Sequence, residues 1–328
     1  MNRQTICYLY YHSFTDKPGT ILLHSIAHYS YFFSNYILVT NLDANSFPSS
    51  LKQRIKIVHP NSIESDHSSR LTKILQSHWS TGQLRANCPS IEIHCFRRWF
   101  LLRDLYQLGI IPADCLVFSH DWDDLLFRSL PEIINDSSEL IHAHGSGLPV
   151  LISCTPAPVH QALQPHFILL NKPSIESYCM TIQVLSRKHA HYHPQLNFSD
   201  MVPWAYIYHK ANTLSRHFFT ALWGELFEKR LYFCDNIRSF LYIPRLVSRR
   251  IIIPSQFSCL PPGTDSLDVV AYFTSGSGDI FVASEIEGHL IPAVNAQYQG
   301  TEGKYIMMRD IQNLLRPFYS LHPSLLNF

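Results

Sequence analysis

The sequence has little charge. Its 328 residues include 25 Asp and Glu against 26 Lys and Arg, so charged residues make up 16% of the chain and the net charge is +1, where soluble proteins carry about 25% charged residues. With 46% apolar residues the chain can bury a core, which excludes an intrinsically disordered protein. The balanced charge excludes a general nucleic-acid binder, which has a basic excess. Because acidic residues are scarce, a tight cluster of them needs an explanation.

Several short motifs are also missing. The eight cysteines form no CxxC pair, so the chain has neither a zinc ribbon nor a thioredoxin-like motif, and Cys115 and Cys154 lie in apolar runs, as reduced thiols of a cytosolic protein do. No GxGxxG or GxxxxGK[ST] occurs, so a bound nucleotide would need another group, such as a metal ion, to neutralise its phosphates. GxSxG and HExxH, typical of hydrolases and zinc peptidases, are absent as well.

The N-terminal region shows no targeting signal. Its apolar stretch is short and no small-residue cleavage site follows, so we expect no signal peptide. Residues 18–41 lack Asp, Glu, Lys and Arg, but histidines, serines and an asparagine interrupt them, which favours a buried helix and a strand over a transmembrane helix. We therefore expect a cytoplasmic protein. A peripheral membrane contact through the aromatic segment 317–328 stays an alternative.

Strand and helix patterns alternate along the first 127 residues. The apolar patterns predict strands at 5–11, 36–41, 54–60 and 115–118, and helices at about 20–34 and 91–108. This alternation predicts an α/β fold with a largely parallel central sheet. Further along, the patterns predict strands at 148–154, 231–237 and 267–284, and helices at 173–187, 199–213 and 304–317. We expect the C-terminal part to be a helical elaboration of the same domain.

The strongest chemical signal is the segment His120-Asp121-Trp122-Asp123-Asp124, which directly follows an apolar strand pattern. In open α/β sheets, ligands bind outside the carboxyl ends of the strands. Asp121 and Asp123 are two residues apart and point the same way on an extended segment. Two close carboxylates repel each other unless a cation lies between them, and hard oxygen ligands suit Mg²⁺ or Mn²⁺. Such an ion would stabilise a diphosphate leaving group; the alternative is a solvated turn.

The order of several segments resembles a known family. The segment CFRRWFLLRDL, a loop, a hydrophobic strand and DxD are similar to GT-A nucleotide-sugar glycosyltransferases, especially bacterial family-8-like members, in which an Arg-rich helix precedes a YLDSD-type motif. Further segments follow in the family's order: HFILLNKPSIESYC (166–179), FSDM (198–201), FCDN (233–236) and AQYQGTEGK (296–304). The resemblance spans about residues 90–308, although each motif is short.

This resemblance implies a GT-A-like fold: a Rossmann-like, mixed but mostly parallel central sheet flanked by helices. It implies a single domain over residues 1–328. Residues 1–130 would form a nucleotide-binding half that ends in DxD. Residues 131–328 would form an acceptor and sugar half with a C-terminal closing segment.

The resemblance also assigns roles to individual residues. Asp121 and Asp123 match the metal-binding DxD. Gly300 and Lys304 match the closing motif, in which the glycine allows close backbone approach and the lysine contacts the diphosphate. Gln297 falls where the family has a metal-binding histidine, and it is a poorer ligand than imidazole.

Two further departures accompany Gln297. The spacing from Gly300 to Lys304 is one residue longer than usual, and Ser119-His120 replace the usual Tyr-Leu before DxD. These departures imply either altered metal coordination or reduced activity.

Arginines on the helix at 91–108 are candidate ligands of the donor. By the resemblance, Arg98 or Arg103 reaches the nucleotide or the sugar. Arg98 is favoured because it lies next to Phe96 and Trp99, which would hold it against the core. The alternative is a solvated helix face, on which Asp104 is a local partner of Arg103.

Two acidic positions near the sugar are weaker candidates. The resemblance implies that Asp200 faces the sugar or the acceptor as a catalytic base or an orienting group; the alternative is a helix cap. Asp235 and Asn236 are implied on the acceptor side, although a turn explains them as well.

Alternating histidines offer other sites. His189, His191 and His193 lie between Lys188 and Pro194, which favours a surface loop over a zinc site. The segment 142–144, His-Ala-His, resembles the HxH of metal-dependent amidohydrolases, but no eight-fold strand–helix pattern accompanies it.

The sequence thus predicts a metal-dependent glycosyltransferase. It would use Mn²⁺ or Mg²⁺ to transfer a sugar from a nucleoside-diphosphate sugar to a glycan, lipid or protein acceptor, and it would bind no nucleic acid. A catalytically degenerate GT-A-like binding protein is the alternative, and a metal-dependent hydrolase is less favoured.

Overall fold

The computed structural model describes part of the chain. The described residues are 5–86, 88–122, 124–126, 150–153, 167–192, 197–210, 232–234, 250–255, 267–273, 280–286 and 289–297. Several predicted features lie outside the described residues: Asp123, the segment 142–144, His193, Asp235, Asn236, Gly300, Lys304 and the helix at 304–317.

Strands and helices alternate in the first part of the chain, as the apolar patterns predict. The strands are β1 (Thr5–Tyr11), β2 (Tyr36–Thr40), β3 (Lys56–Val58), β4 (Leu116–His120), β5 (Asp124–Leu126), β6 (Val150–Ser153), β7 (Phe167–Leu170), β8 (Tyr232–Cys234), β9 (Arg250–Ser255), β10 (Leu267–Phe273), β11 (Ile280–Ile286) and β12 (His289–Gln297). The helices are α1 (Thr20–Phe32), α2 (Ser49–Lys52), α3 (Asp66–Ser80), α4 (Pro89–Gln107), α5 (Lys172–Tyr192) and α6 (Met201–Lys210).

The main sheet has the strand order β3-β2-β1-β4-β7-β6. Strands β3, β2, β1 and β4 are parallel, whereas β7 runs antiparallel to both β4 and β6. Every residue of β2 and of β4 is buried, as expected for central parallel strands whose two faces are covered by helices. The predicted α/β fold with a mixed, mostly parallel sheet is therefore confirmed.

The order of the strands creates a switch point between β1 and β4. The chain crosses from β1 to β2 through α1, and it later returns to the other side of β1 at β4. The connection that follows β1 and the connection that follows β4 therefore run to opposite sides. This leaves a crevice at the carboxyl ends of β1 and β4. Ligands of open α/β sheets bind in this kind of crevice. Tyr11 and His120, the last residues of these two strands, mark its position.

Helix α4 packs against α3, α5 and β1. Phe96, Trp99 and Phe100 on α4 are fully buried. Asp104, also buried, accepts hydrogen bonds from the backbone N–H of Ser65 (2.9 Å) and from its hydroxyl (2.7 Å). Ser65 in turn caps the N-terminus of α3, so this contact ties the two helices together. After α4, Gly109 takes a φ of +69°, which glycine adopts without the Cβ strain of other residues.

The second sheet has the order β5-β12-β11-β10-β9, with β8 beside β12. The strands predicted at 231–237 and 267–284 are confirmed by β8, β10 and β11, whereas β9 and β12 were not predicted. Strand β5 begins directly after the carboxylate segment and pairs antiparallel with β12, which places Gln297 opposite Asp124. The second sheet therefore brings the end of β12 to the carboxyl edge at β4.

The prediction of a surface loop at 188–194 is wrong over residues 188–192, and His193 and Pro194 lie outside the described residues. Helix α5 continues to Tyr192, and His189 is buried with its ring centroid 5.1 Å from that of Phe198. The helix continues because no residue before Pro194 breaks it, and because His189 lies on its buried face. Elsewhere, the five cysteines with described side chains form no disulfide, as expected for reduced thiols. None of the described helices is long and apolar enough to span a bilayer.

Candidate active site

Arg98 on α4 lies between two carboxylates from distant parts of the chain. Its guanidinium donates to Oδ1 of Asp121, directly after β4, and to Oδ2 of Asp200, directly before α6, at 2.7 Å. The side chains of Arg98 and Asp200 are only 11% and 7% exposed, whereas that of Asp121 is 26% exposed. The resulting cluster, which we call the Arg98 cluster, consists of Arg98, Asp121 and Asp200. It opens to solvent at Asp121, beside the switch-point crevice.

Asp200 is fixed from several sides. The indole N–H of Trp99 donates to the same Oδ2 atom at 3.0 Å, and the hydroxyl of Tyr178 donates to the backbone carbonyl of Asp200 at 3.0 Å. Trp99 also lies beneath the guanidinium of Arg98, 4.4 Å from its central carbon to the ring centroid, in a cation–π contact. These contacts hold the carboxylate in one position, which suits a residue that orients a ligand.

Electrostatics keep Arg98 charged. Burial disfavours the charged guanidinium, but the carboxylates of Asp121 and Asp200 outweigh that effect and raise the pKa of Arg98 above its ordinary value. The backbone of α4 is anchored at this point, because the hydroxyl of Tyr8 on β1 donates to the carbonyl of Arg98 at 2.7 Å. The site therefore contains a permanent, positioned cation.

Glu92 and Cys95, about two turns and one turn before Arg98 on α4, extend the cluster. Their ligand atoms and that of Asp200 lie within 4.8 Å of one another, and Oε2 of Glu92 is buried without a hydrogen bond among the described residues. Burial and then repulsion from Asp200 raise the pKa of Glu92 to about 7, against the opposing attraction of Arg98. Because the Arg98 cation contacts the same Asp200 carboxylate, this group suits proton exchange better than metal binding.

His120 forms the buried wall behind Asp121. Its Nδ1 lies 2.8 Å from the carbonyl oxygen of Asp121 and its Nε2 lies 2.9 Å from the hydroxyl of Tyr36. The carbonyl accepts only, so Nδ1 donates to it and Nε2 accepts from Tyr36, which is the pattern of a neutral imidazole. The ring stacks on Tyr29 at 3.6 Å. Burial lowers the pKa of His120 to about 3, so this residue positions the carboxylate segment and carries no charge at neutral pH.

Aromatic rings line the carboxyl end of β1. Trp122 packs edge-on against Tyr11 with ring centroids 5.8 Å apart, and His12 stacks on His94 at 3.7 Å. Burial, His12 and Arg97 lower the pKa of His94 to about 4, so this stack is neutral at pH 7. Flat, uncharged rings beside a charged cluster suit a ligand with a planar part and a polar part.

The backbone between β1 and β2 is fixed by one asparagine. The side chain of Asn41 accepts from the N–H of Ser13 at 2.7 Å and donates to its carbonyl at 2.9 Å. This pair of hydrogen bonds joins the carboxyl ends of β1 and β2. The edge of the sheet next to the aromatic rings is thus held in place.

The structure brings three of the predicted site residues into direct contact, namely Arg98, Asp121 and Asp200. Arg103 does not reach them: its guanidinium lies 3.6 Å from the carboxylate of Asp104, the local partner that the sequence offered as an alternative. Gln297 reaches the carboxyl edge by strand register. Asp123, Gly300 and Lys304 lie outside the described residues.

Sequence reasoning missed Glu92, Trp99 and Tyr178 as members of the site. Trp99 was interpreted as a core residue, which it also is, but its indole N–H additionally serves Asp200. Glu92, Cys95 and Arg98 recur every three residues, a spacing that places side chains near one helix face. That spacing, on a helix that leads to the carboxylate strand, is the signal that could have identified Glu92.

The described residues at this edge include ligand types that suit a hard cation, but they are fewer than the roughly six ligands that such an ion takes. Asp121 has a carboxylate at this edge, and the register places residue Gln297 opposite Asp124, three residues further along. Carboxylate and amide oxygens are the ligand types that Mn²⁺ and Mg²⁺ take. Arg98 already provides positive charge to Asp121, so the pairing of this carboxylate with a cation does not by itself require a metal ion.

Comparisons with known proteins give distant likenesses. No family model and no curated protein sequence matches the chain. Among solved structures, mouse xyloside xylosyltransferase 1 in its apo form is similar, with 13% identity and a TM-score of 0.39 over 62% of this chain and 81% of that one. The PaToxG glycosyltransferase has 11% identity and a TM-score of 0.35 over 68% and 76% of the two chains.

A third structure belongs to a different class of enzyme. The synthase of 4-diphosphocytidyl-2C-methyl-D-erythritol has 12% identity and a TM-score of 0.28 over 63% of this chain and 97% of that one. At these TM-scores the likenesses do not decide fold or activity. The fold assignment rests on the sheet topology.

Proposed function

We propose that the chain is a glycosyltransferase that moves a sugar from a nucleoside-diphosphate sugar to an acceptor. The observation that carries this proposal is the Arg98 cluster. Its three members come from distant parts of the chain. The sequence resemblance implies separate roles for them: Asp121 at the metal ion, Arg98 at the nucleotide or the sugar, and Asp200 at the sugar or the acceptor. They meet beside the switch point between β1 and β4, where α/β proteins bind ligands.

The two surfaces beside the switch point suit the two parts of such a donor. The neutral aromatic rings of Tyr11, Trp122 and the His12–His94 stack offer flat faces for a nucleobase. The charged cluster lies on the side of β4 and suits the polar sugar and diphosphate. Arg98 has more N–H donors than its two carboxylates use, but its side chain is 11% exposed, so we propose that it contacts the donor only beside Asp121, where the cluster opens to solvent.

The DxD residues would hold a divalent ion on the diphosphate. Asp121, Asp123 and Gln297 are the proposed ligands of Mn²⁺ or Mg²⁺, which would supply positive charge to the leaving group. Gly300 and Lys304 are proposed to close over the diphosphate from the C-terminal segment.

Asp200 is proposed to orient the sugar. Two donors occupy its Oδ2 atom and its side chain is 7% exposed, which favours an orienting role over that of a mobile base. Glu92, with its pKa raised to about 7, is the better candidate for proton exchange, because an acid–base group works best when its pKa is near the working pH.

Turnover of nucleotide sugars tests this proposal. We expect hydrolysis or transfer with at least one of the UDP-, GDP- or CDP-sugars in the presence of Mn²⁺, and a loss of about a hundredfold in kcat for Asp121→Asn, a scale typical of removing one electrostatic contact to a transition state. Asp114→Asn is the matched control, because Asp114 is exposed in the turn before β4. A kcat that is the same with and without Mn²⁺, and the same in Asp121→Asn as in the parent, would contradict the proposed mechanism.

A catalytically degenerate binding protein is the second candidate. Two observations favour this alternative: Arg98 already pairs with Asp121, and Gln297 stands where the family that the sequence resembles has a histidine. Thermal unfolding with UDP, GDP and CDP, with and without Mn²⁺, separates the two functions. A nucleotide at about 100 times its Kd stabilises the fold by about 2.7 kcal/mol. Stabilisation without any turnover would favour the binding protein, and turnover would exclude it.

A further inference from the structure

A second charged region lies between α3 and α5, and none of its residues belongs to the candidate active site. A groove of about 260 Å³ runs between these helices. Three cationic side chains line it, those of Arg70, Lys73 and Arg187, and all three are exposed. The other lining residues are Ile74, Ser77, His78 and Gln183. No carboxylate is among the residues that line the groove, so it presents hydrogen-bond donors and positive charge.

The lack of acidic residues here extends along the sequence. Residues 67–91, which include most of α3, contain no Asp or Glu, and neither do residues 177–199, which include most of α5. The two segments also meet at their far ends, where the N–H of Phe198 donates to the carbonyl of Arg85 at 2.8 Å. Folding therefore joins two acid-free segments into one surface.

Two nearby carboxylates, those of Glu176 and Asp104, are engaged elsewhere. Glu176, earlier on α5, accepts from the side chain of Gln107 at 3.0 Å and lies 4.0 Å from Lys172. Asp104 on α4 is buried and is bound by Ser65. The groove cations form no ion pair with an acidic residue among the described residues. The positive charge of the groove is therefore complementary to an anion from outside the chain.

Two exposed apolar side chains indicate what kind of anion. Met180 is 76% exposed and Val184 is 54% exposed, and with Arg187 they follow the i, i+4, i+7 spacing of one helix face. A soluble polyanion would gain nothing from these apolar side chains. A membrane surface would contact both groups, because its phosphates attract cations and its interface accepts apolar side chains.

We propose that the α3–α5 groove docks this protein on an anionic membrane surface. Phosphate groups of lipids enter the groove and contact Arg70, Lys73 and Arg187, while Met180 and Val184 enter the interface beside them. The site is peripheral, and it is independent of the proposed sugar transfer, since no residue is shared between the two regions.

Cosedimentation of the full chain with lipid vesicles tests this proposal. We expect binding to vesicles of phosphatidylcholine with one third phosphatidylglycerol, and little binding to phosphatidylcholine alone. The triple variant Arg70→Gln/Lys73→Gln/Arg187→Gln should weaken binding by about fivefold per cation and about a hundredfold in total. Salt at about 1 M should release the protein, because it shortens the Debye length to about 3 Å.

Matched variants separate this groove from general charge and general apolarity. Lys52→Gln/Arg54→Gln/Lys56→Gln removes the same number of charges elsewhere and should bind as the parent does. Met180→Ser/Val184→Ser should weaken binding about tenfold, whereas Ile91→Ser/Leu108→Ser, at two other exposed apolar positions, should not. Equal losses in the paired variants would overturn the proposal. Binding of pyrophosphate by the groove without binding to vesicles would do so as well, and would identify a soluble anion.

Discussion

The molecule contains two charged regions that are built in opposite ways. In the Arg98 cluster, one cation lies between two carboxylates, and the side chains are 7% to 26% exposed. In the α3–α5 groove, three exposed cations lie together with no carboxylate among the lining residues. In the first region the cation is paired with carboxylates of the protein itself, whereas in the second region the cations have no carboxylate among the lining residues.

This difference follows from the cost of burial. A buried charge without a partner is strongly unfavourable, so the protein can place Arg98 against the core only with Asp121 and Asp200 beside it. Exposed charges are solvated and screened, so the groove needs no internal partner. Pairing within the Arg98 cluster holds its side chains in a fixed geometry, which suits a reaction site. The cations of the groove have no carboxylate among the lining residues, so they are available to bind an external anion. Substitutions in the two regions should therefore differ in their effect on stability.

Arg98→Met should have the largest effect on stability. It removes the cation and leaves the buried carboxylate of Asp200 without its charged partner, which costs about 3–5 kcal/mol in comparable buried pairs. Methionine keeps the length of the side chain and suits a helix. Urea unfolding, followed by circular dichroism, measures the free energy of unfolding.

The neighbouring residue provides the control for this substitution. Arg97 pairs with Glu64 at 2.5 Å, and the two side chains are 17% and 19% exposed. Arg97→Met should cost less than Arg98→Met, because both side chains of this pair keep partial access to solvent, whereas Asp200 is 7% exposed. Equal losses for Arg97→Met and Arg98→Met would show that the Arg98 cluster is no more stabilising than this single, partly exposed ion pair.

Glu92→Gln should have the next largest effect, and its sign depends on pH. The pKa of Glu92 is raised from 4.5 to about 7, so between these values the folded protein holds a proton that the unfolded chain releases. Stability from this group is therefore present below pH 4.5 and is lost as pH rises to 7, by at most about 3 kcal/mol. Glutamine cannot ionise, so the variant should be more stable than the parent at pH 8 and equal to it at pH 4.5.

The difference between variant and parent is the quantity to measure, because other groups titrate in the same window. Thermal unfolding from pH 4 to pH 8 provides it. Glu176→Gln is the control, since that side chain is 38% exposed and its variant should show no comparable trend. A Glu92→Gln difference that stays constant across this range would rule out the proposed burial of a proton at Glu92.

The sequence predicts the Arg98 cluster far better than the groove. Asp121 follows an apolar strand pattern, which places it at the carboxyl edge of the sheet, whereas Arg98 and Asp200 are site candidates through the family resemblance. The indole of Trp99 on Asp200 could not be predicted in this way, because it depends on how α4 and α6 pack. Nor could the apolar patterns supply the β5–β12 register, because they predict neither strand and the register joins residues far apart in the sequence.

The groove depends on packing in the same sense. Each acid-free segment can be read from the sequence, but only the packing of α3 against α5 makes them one surface. The prediction of a loop fails over residues 188–192 for a related reason. Alternating polar residues resemble a loop, yet the buried contact of His189 with Phe198 keeps the segment helical.

Removing the groove cations should have the smallest effect on stability. In Arg70→Gln/Lys73→Gln/Arg187→Gln, each substitution is exposed and should change the free energy of unfolding by no more than about 0.5 kcal/mol. Because the three side chains repel one another, any change should be a slight stabilisation at low ionic strength that fades as salt screens the repulsion. Urea unfolding at low and high salt measures both effects. A loss of several kcal/mol would mean that these cations hold α3 and α5 together, and the contrast with the Arg98 cluster would then fail. A small change, combined with the loss of vesicle binding, would show that the charge of the groove serves a partner and not the fold.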